Sequence, residues 1–300
     1  MTDVTTQITA NVSAVDRTEE RGTFRERFEE PVMRGGQIIL LLLLALVFFL
    51  PVFGTLLTSI RTIPDITQNG AWALPSSYEW GNLGRAFIEM LPYLRASVII
   101  TLPSVVGTLL VATMAGYALS RMRFQGRVWM FLVIVSLSFV PIHTQLIPVF
   151  RLMSELGLHD TFVAQIIVHI MRQIPFAVLI MTNFFNTVPG ELREAGRIDG
   201  ANEWTIFRRI YLPVARPALS ALIVLEFTWI WNDLLWGLVL TQGSGKKPVT
   251  VGILSFEGEY EIAWNMVASG AVVAAIPTLA VFLVFQKHFI RGMTMGSVKG

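Results

Sequence analysis

Long apolar runs alternate with short polar connections along this chain. A helix needs roughly 20 apolar residues to cross the hydrocarbon core of a bilayer. Six runs meet that length: Ile38–Leu57, Ala96–Ser120, Val128–Phe150, Phe162–Phe184, Leu219–Leu240 and Met266–Phe285. The expected fold is an all-α membrane protein with six transmembrane helices. The first run begins too late and extends too far for a cleaved signal peptide, so it reads as a signal anchor. No internal repeat is seen.

Basic residues orient these spans, because cytoplasmic loops of membrane proteins carry an excess of Lys and Arg. Segments 1–37, 121–127, 186–216 and the C-terminal tail hold sixteen of the 23 basic residues. The loops on the other side hold six, and Arg172 falls inside a span. The N- and C-termini are therefore expected in the cytoplasm. The short loop "RMRFQGR", Arg121–Arg127, is the sharpest single indicator.

Composition agrees. The chain is 53% hydrophobic and 15% charged, with a mean hydropathy of +0.60, far too apolar for an ordinary soluble domain. A net charge of +2 without a basic block gives no reason to expect nucleic acid. The absence of cysteine excludes disulfides, thiolate metal sites and cysteine nucleophiles. Four scattered histidines give no metal-ligand spacing, and no phosphate-binding glycine loop is present. No cofactor is expected in this chain, and any nucleotide chemistry must belong to another chain. Residues 1–37 read as a separate cytoplasmic tail, its first 20 residues disordered. In it Thr23 and Glu26 have capping-box spacing and Phe24 and Phe28 lie one turn apart. A helix on the inner membrane surface and a frayed polar end both fit.

The polar segment 186–216 has more order than a connection requires. Leu192, Ala195 and Ile198 recur at helical spacing, with Glu191, Arg193, Glu194 and Arg197 between them. Gly200 interrupts the pattern and is free to take positive φ. Asn202 is a good N-cap for a second helix, on which Trp204, Phe207 and Tyr211 share a face until Pro213 and Pro217 limit it. Two short helices with a hinge are predicted, each with an apolar face that needs covering, by a partner or by the lipid interface.

This stretch resembles the signature loop of the membrane subunits of binding-protein-dependent ABC importers. The family pattern is Glu-Ala-Ala, three residues, Gly, nine residues, Ile, one residue, Leu-Pro. The matching positions are Glu194, Ala195, Gly196, Gly200, Ile210, Leu212 and Pro213, and every spacing fits. Gly196 departs from the usual second alanine, which slightly weakens the first helix. "GRIDGA", Gly196–Ala201, with Asp199 inside it, is close to the "ARIDGA" of sugar importers. "WNDLLW", Trp231–Trp236, and "RGMTMGSVKG", Arg291–Gly300, are similar to the carbohydrate branch, specifically the smaller permease of a maltose-type pair. The resemblance implies a type I ABC importer permease domain over residues 38–300, in a bacterial or archaeal cytoplasmic membrane. It implies that the loop couples to an ATPase, and that the tail with Gly296, Ser297 and Lys299 reaches between two ATPase chains. It further implies a second homologous permease, two ATPase subunits and an extracytoplasmic solute-binding protein as partners.

Polar residues inside spans are costly and mark functional candidates. Glu226, Trp229, Asp233 and Trp236 fall at i, i+3, i+7 and i+10 of the fifth span and form one helical face, with Asn232 beside them. Carboxylates accept from sugar hydroxyls and indoles stack on sugar rings, so this face is a candidate substrate path. A helix–helix seam explains it equally well, and in the maltose type the larger partner supplies much of the sugar contact. Arg172 and Gln173, just before the helix-kinking Pro175, are expected to face a watery path or a carboxylate, with Glu226 and Asp233 as candidate partners and recognition of an anionic substrate as the lesser alternative. His143 and Gln145, between Pro141 and Pro148, are candidates for the same path. The segments Thr58–Arg95 and Phe256–Ile262 are expected outside, as docking surface or as plain solvated loops.

An importer subunit for a sugar or oligosaccharide, itself catalysing no bond chemistry, follows from this resemblance. The same family importing glycerol phosphate, a polyol or an acidic sugar is the alternative. A self-sufficient secondary transporter or channel needs no ordered coupling loop, and the matched halves common in ion-coupled carriers are not seen.

Overall fold

The computed structural model describes residues 35–70, 72–243, 245–258 and 262–294, the last eight by their backbone alone. The amphipathic segment expected near Phe24 and Phe28 lies outside the described residues, as do Gly296, Ser297 and Lys299. The chain divides into two compact units, residues 1–55 and 56–300.

In the first unit the described chain is the helix α1, Gly35–Ser59, whose last residues belong to the second unit. Apolar residues surround it on every side, as in a membrane span, and from Ile38 to Phe53 they are exposed.

The second unit is built around α3 (Gly81–Arg121) and α6 (Phe162–Thr187), which run side by side in one direction. Small residues permit the approach. A Cβ on Gly107 would lie 2.5 Å from Ile170 Cδ1, and one on Gly116 would lie 2.7 Å from Met181 Cβ. Glycine at such a seam lets backbones close when no hydrophobic effect drives helices together. Helices α10 (Arg216–Trp231) and α13 (Trp264–Thr294) complete the packing, tied where Trp231 Nε1 donates to the Ala274 carbonyl at 2.9 Å.

Among the described residues four helices are long and apolar enough to cross a membrane as single rods, and up to six spans are reached if each of two bent pairs counts as one. The third predicted span is one such pair. Helix α4 (Arg127–Ser136) continues through a 3-10 turn to Phe139, and α5 (Ile142–Glu155) leaves at 100°. Pro141 is the cause: it donates no hydrogen bond and forces Val140 into extended backbone, ψ 119°. The fifth predicted span is also interrupted, because α10 stops at Trp231 and a separate α11 (Leu235–Leu240) follows.

The second span is longer than its apolar run. At 41 residues α3 measures roughly 60 Å, about twice a bilayer core. Its extra turns bury Ala86 and Met90 in a cluster with Trp231 and Val249, so tertiary packing carries the helix past the polar Arg85, Glu89 and Arg95.

A compact knot closes the chain just after α1. The buried Arg61 Nε donates to Asp65 Oδ2 at 2.6 Å, Nη1 to the Gly70 carbonyl and Nη2 to the Asp65 carbonyl. Asp65 sits on the short α2 (Ile63–Asn69) and accepts also from Asn69 Nδ2 and Ser76 Oγ. The Arg61 guanidinium beside it holds its carboxyl well below the usual carboxylate range. The Ser59 carbonyl accepts from Asn82 Nδ2 at 3.1 Å and from Ser269 Oγ at 3.0 Å.

Candidate functional site

Two arrangements gather the candidate residues, one at the Arg121 end of the bundle and one within it.

At the first, α7 (Glu191–Ile198) ends in a Schellman turn. The Ala201 N–H donates to the Gly196 carbonyl at 2.9 Å, the Gly200 N–H donates to the Arg197 carbonyl at 3.0 Å, and Gly200 has φ +77°. Asn202 Oδ1 then accepts from the Thr205 N–H at 2.8 Å and starts α8 (Glu203–Ile206). This continues through a π-turn, Phe207–Tyr211, into α9 (Leu212–Val214). Both helices and the hinge are as the sequence predicts.

Their burial differs from the simple amphipathic picture. Phe207 and Tyr211 are buried, but Trp204 is 57% exposed and Ile198 86% exposed. Leu192, Glu194, Ala195 and Asp199 also face outward. The buried residue of α7 is Gly196. A Cβ there would stand 3.1 Å from both Ile206 Cγ1 and Ile210 Cδ1, so the two short helices meet at this glycine. The turn therefore shows an apolar surface that the described residues of this unit do not cover.

An anchor beneath holds that surface. Arg193 Nη2 donates to Glu203 Oε1 at 2.6 Å and Nε to Oε2 at 3.2 Å, a two-point clamp across the hinge. Tyr117 Oη, near the end of α3, donates to Glu203 Oε2 at 2.7 Å. The Arg193 guanidinium beside Glu203 lowers its carboxyl, and Glu203 in turn raises the guanidinium. Arg121 donates to the carbonyls of Phe185 and Val188 at the end of α6, and its guanidinium carbon lies 5.5 Å from the centre of the Tyr211 ring. Tyr117 packs edge-on to Tyr211 and Phe185. Glu203, Tyr117 and Arg121 were not singled out as anchors in the sequence. Glu203 reads there as an ordinary first-turn acid, and Tyr117 as one aromatic in an apolar run.

The second arrangement is a cleft of about 570 Å³ between α6 and the break after α10. Five predicted residues, Arg172, Gln173, Trp229, Asn232 and Asp233, line it together with Thr228, Leu234 and Leu235. Trp229 stands edge-on to Phe176 at 4.9 Å. Asn232 Nδ2 donates to the Thr228 carbonyl at 2.8 Å, and Asp233 Oδ1 accepts from the Trp236 N–H at 2.8 Å, capping α11.

The stripe expected on one helix face is thereby divided. Trp236 turns into a buried cluster with Ala164, Val168 and Leu240. Glu226 is fully buried, lines neither this cleft nor the next, and neither of its carboxylate oxygens has a partner among the described residues. A smaller cleft of about 240 Å³ adjoins and is lined by Gln145, Arg172 and Trp236 among apolar neighbours. His143 is exposed beside the Pro141 bend and lines neither cleft. Among the described residues no ion pair holds Arg172, to Glu226, Asp233 or any other acid.

Residues 107–295 match the family described as "binding-protein-dependent transport system inner membrane component". The chain is 32% identical over 277 residues to the osmoprotective compounds uptake permease protein GgtD of Synechocystis sp., covering 87% of this chain and 91% of that one. It is 32% identical to the arabinooligosaccharides transport system permease protein AraQ of Halalkalibacterium halodurans, over 86% and 93% of the two chains. In structure it is similar to a chain of a bacterial ABC transporter involved in the import of the acidic polysaccharide alginate. That match has a TM-score of 0.76 and 25% identity, and covers 87% of this chain and 98% of the other.

Proposed function

The chain belongs to the family of binding-protein-dependent transport system inner membrane components, and on that premise we propose that it is one permease subunit of an ATP-driven importer of sugars or oligosaccharides. Relatives named for arabinooligosaccharides and alginate support that cargo. The osmoprotective compounds of another relative keep polyols and other small solutes as the second reading.

The reading places six spans in a bacterial or archaeal cytoplasmic membrane, with both termini in the cytoplasm. The distribution of basic residues supports it. A second homologous permease completes the path. Two ATPase subunits hold ATP and Mg, and a solute-binding protein delivers cargo from outside. This chain makes no bond and breaks none. Asp233, Asn232, Trp229, Arg172 and Gln173 face the cargo in the cleft. Glu226 and Trp236 support that wall from within, and Gln145 and His143 flank it.

One observation carries the proposal. Residues 191–214 hold a clamped turn whose apolar surface has no cover among the described residues of its own unit. Glu194, Ala195, Asp199, Gly200, Leu212 and Pro213 belong to that turn, and an ATPase cleft is the occupant that the family provides. When the ATPases close, the turn moves with them, and the clamp from Glu203 to Arg193 and Tyr117 passes the motion to α3. Gly296, Ser297 and Lys299 make a second ATPase contact in this reading.

The test is recovery and transport in one preparation. The tagged chain, purified from its own cells in mild detergent, should bring down an ATPase and a second permease. Deleting the chain should abolish uptake of at least one saccharide from a panel. A chain that purifies alone and transports without ATP would end the proposal.

A further inference from the structure

The proposed cargo can be narrowed by asking which charges in the cleft are already engaged. Asp233 caps α11 through the Trp236 N–H, and its backbone carbonyl accepts from Thr250 Oγ1 at 2.6 Å. Asn232 Nδ2 donates to the Thr228 carbonyl. The α6 side of the cleft differs. Arg172 Nε and Gln173 Nε2 are both buried donors without an acceptor among the described residues, and Gln173 is 5% exposed. Two consecutive residues of the cleft lining thus each carry a buried, unmatched donor, one of them on a cation. A buried donor without a partner is costly, more so when charged, and a bound acceptor removes the cost. Opposite them the half-exposed face of Trp229 offers a stacking surface for a sugar ring.

Resting on the reading of this chain as a sugar permease, we propose that the cleft accepts an acidic saccharide, with a sugar carboxylate on Arg172 and Gln173 and a ring on Trp229. A guanidinium receives a carboxylate at two points, which a neutral hydroxyl does not match. Asp233 in the same cleft weighs against a dianionic phosphate and for a single negative charge. The break at Asn232–Leu234 matters to this geometry, because it ends α10 at the cleft and leaves Trp229 open to it.

The probes are an oligouronate and the same oligosaccharide with its carboxylates reduced to hydroxymethyl groups. Uptake of both is measured in proteoliposomes holding the whole complex and its own binding protein. The parental complex should move the oligouronate in preference to its neutral counterpart. Arg172→Gln should lower the ratio of acidic to neutral uptake at least about tenfold, the loss expected for one charge-assisted contact. Arg172→Lys should restore part of the ratio. A parental complex that moves the neutral sugar and refuses the oligouronate overturns this inference and leaves the sugar permease standing. A complex that hydrolyses ATP and moves neither sugar also overturns it, while uptake across the saccharide panel decides the sugar permease separately. Equal loss of the two cargos in Arg172→Gln also overturns it, because the arginine then supports structure alone.

Discussion

Glu203 joins three side chains from two other elements: Arg193 and Arg197 on α7, the latter at 3.9 Å, and Tyr117 at the end of α3. Glu203→Ala leaves Arg193 and the Tyr117 hydroxyl unmatched, which costs on the order of 1–3 kcal/mol. The expected result is normal insertion with weaker ATPase recovery and uptake; parental coupling in this variant would show that the clamp transmits nothing. The acid side follows from the direction of its pKa. The folded carboxyl lies below its ordinary value, so its contribution is complete above the unfolded pKa and fades as pH falls through the folded one. Coupling should therefore be indifferent to this group near neutral pH. Gly196 is the second sensitive residue. Gly196→Ala gains helix propensity against a 3.1 Å approach to two isoleucines and should couple nearly normally, whereas Gly196→Val should part α7 from α8. Equal ATPase stimulation in both would contradict the contact.

At the scale of elements, the hinge of the 191–214 turn rests on backbone geometry. A side chain on Gly200 meets nothing within 4 Å, so only its φ of +77° opposes substitution. Forcing a β-branched residue there costs roughly 1–2 kcal/mol. Gly200→Val should insert, hold the ATPase poorly and uncouple hydrolysis from uptake, while Gly200→Asn, which tolerates this backbone, should stay close to parental. Indistinguishable uptake by the two variants would remove the hinge from the mechanism. The two helices and hinge of this turn were legible in the sequence, because glycine, an N-capping asparagine and 3.6-residue spacing are local signals; its burial and the Glu203 anchor, which depend on distant packing, were not. The breaks in the third and fifth spans were not, although Pro141 and the Asn232–Asp233 pair stood in plain view. Hydropathy averages over about a span and does not register a change of direction within it. The cleft was half legible. Residue types marked Arg172, Gln173, Trp229, Asn232 and Asp233, but the assumption of a continuous helix put Glu226 and Trp236 beside them. The break turns Trp236 inward and Glu226 lies off both clefts.

Across the whole molecule, distant segments are stitched together at the end opposite the 191–214 turn. Asp160, in left-handed backbone at φ +58°, joins the connection before α6 to the one after α11. Its Oδ1 accepts from the Gln242 and Gly243 N–H groups at 3.1 and 3.0 Å, and Lys246 Nζ reaches Oδ2 at 3.2 Å. These backbone donors, with Lys246, hold its carboxyl below the usual range. Asp160→Asn keeps the backbone preference and an acceptor oxygen, so its loss should be small. Asp160→Ala should lower the melting temperature of the detergent-solubilised complex further, and Asp160→Val further still, since left-handed backbone is a true outlier for a β-branched residue. Any other order would mean that the clamp does not brace this end.

The knot at Ser59 has a consequence for how the protein is made. Its carbonyl ends the first helix and takes one of its two hydrogen bonds from Ser269, a residue translated 210 positions later. The beginning of the chain is thus not finished until its final helix has been threaded into the membrane. An interrupted product would leave that early acceptor short of a donor, and with it the face of α3 against which α13 packs. Cells that remove incomplete membrane proteins have here a readable mark of truncation. Chains stopped before Trp264 should be degraded much faster than full-length chains in a pulse–chase experiment. Ser269→Ala, which removes one donor and keeps the helix, should fall between them. Equal lifetimes for all three would leave the bond as a detail of packing.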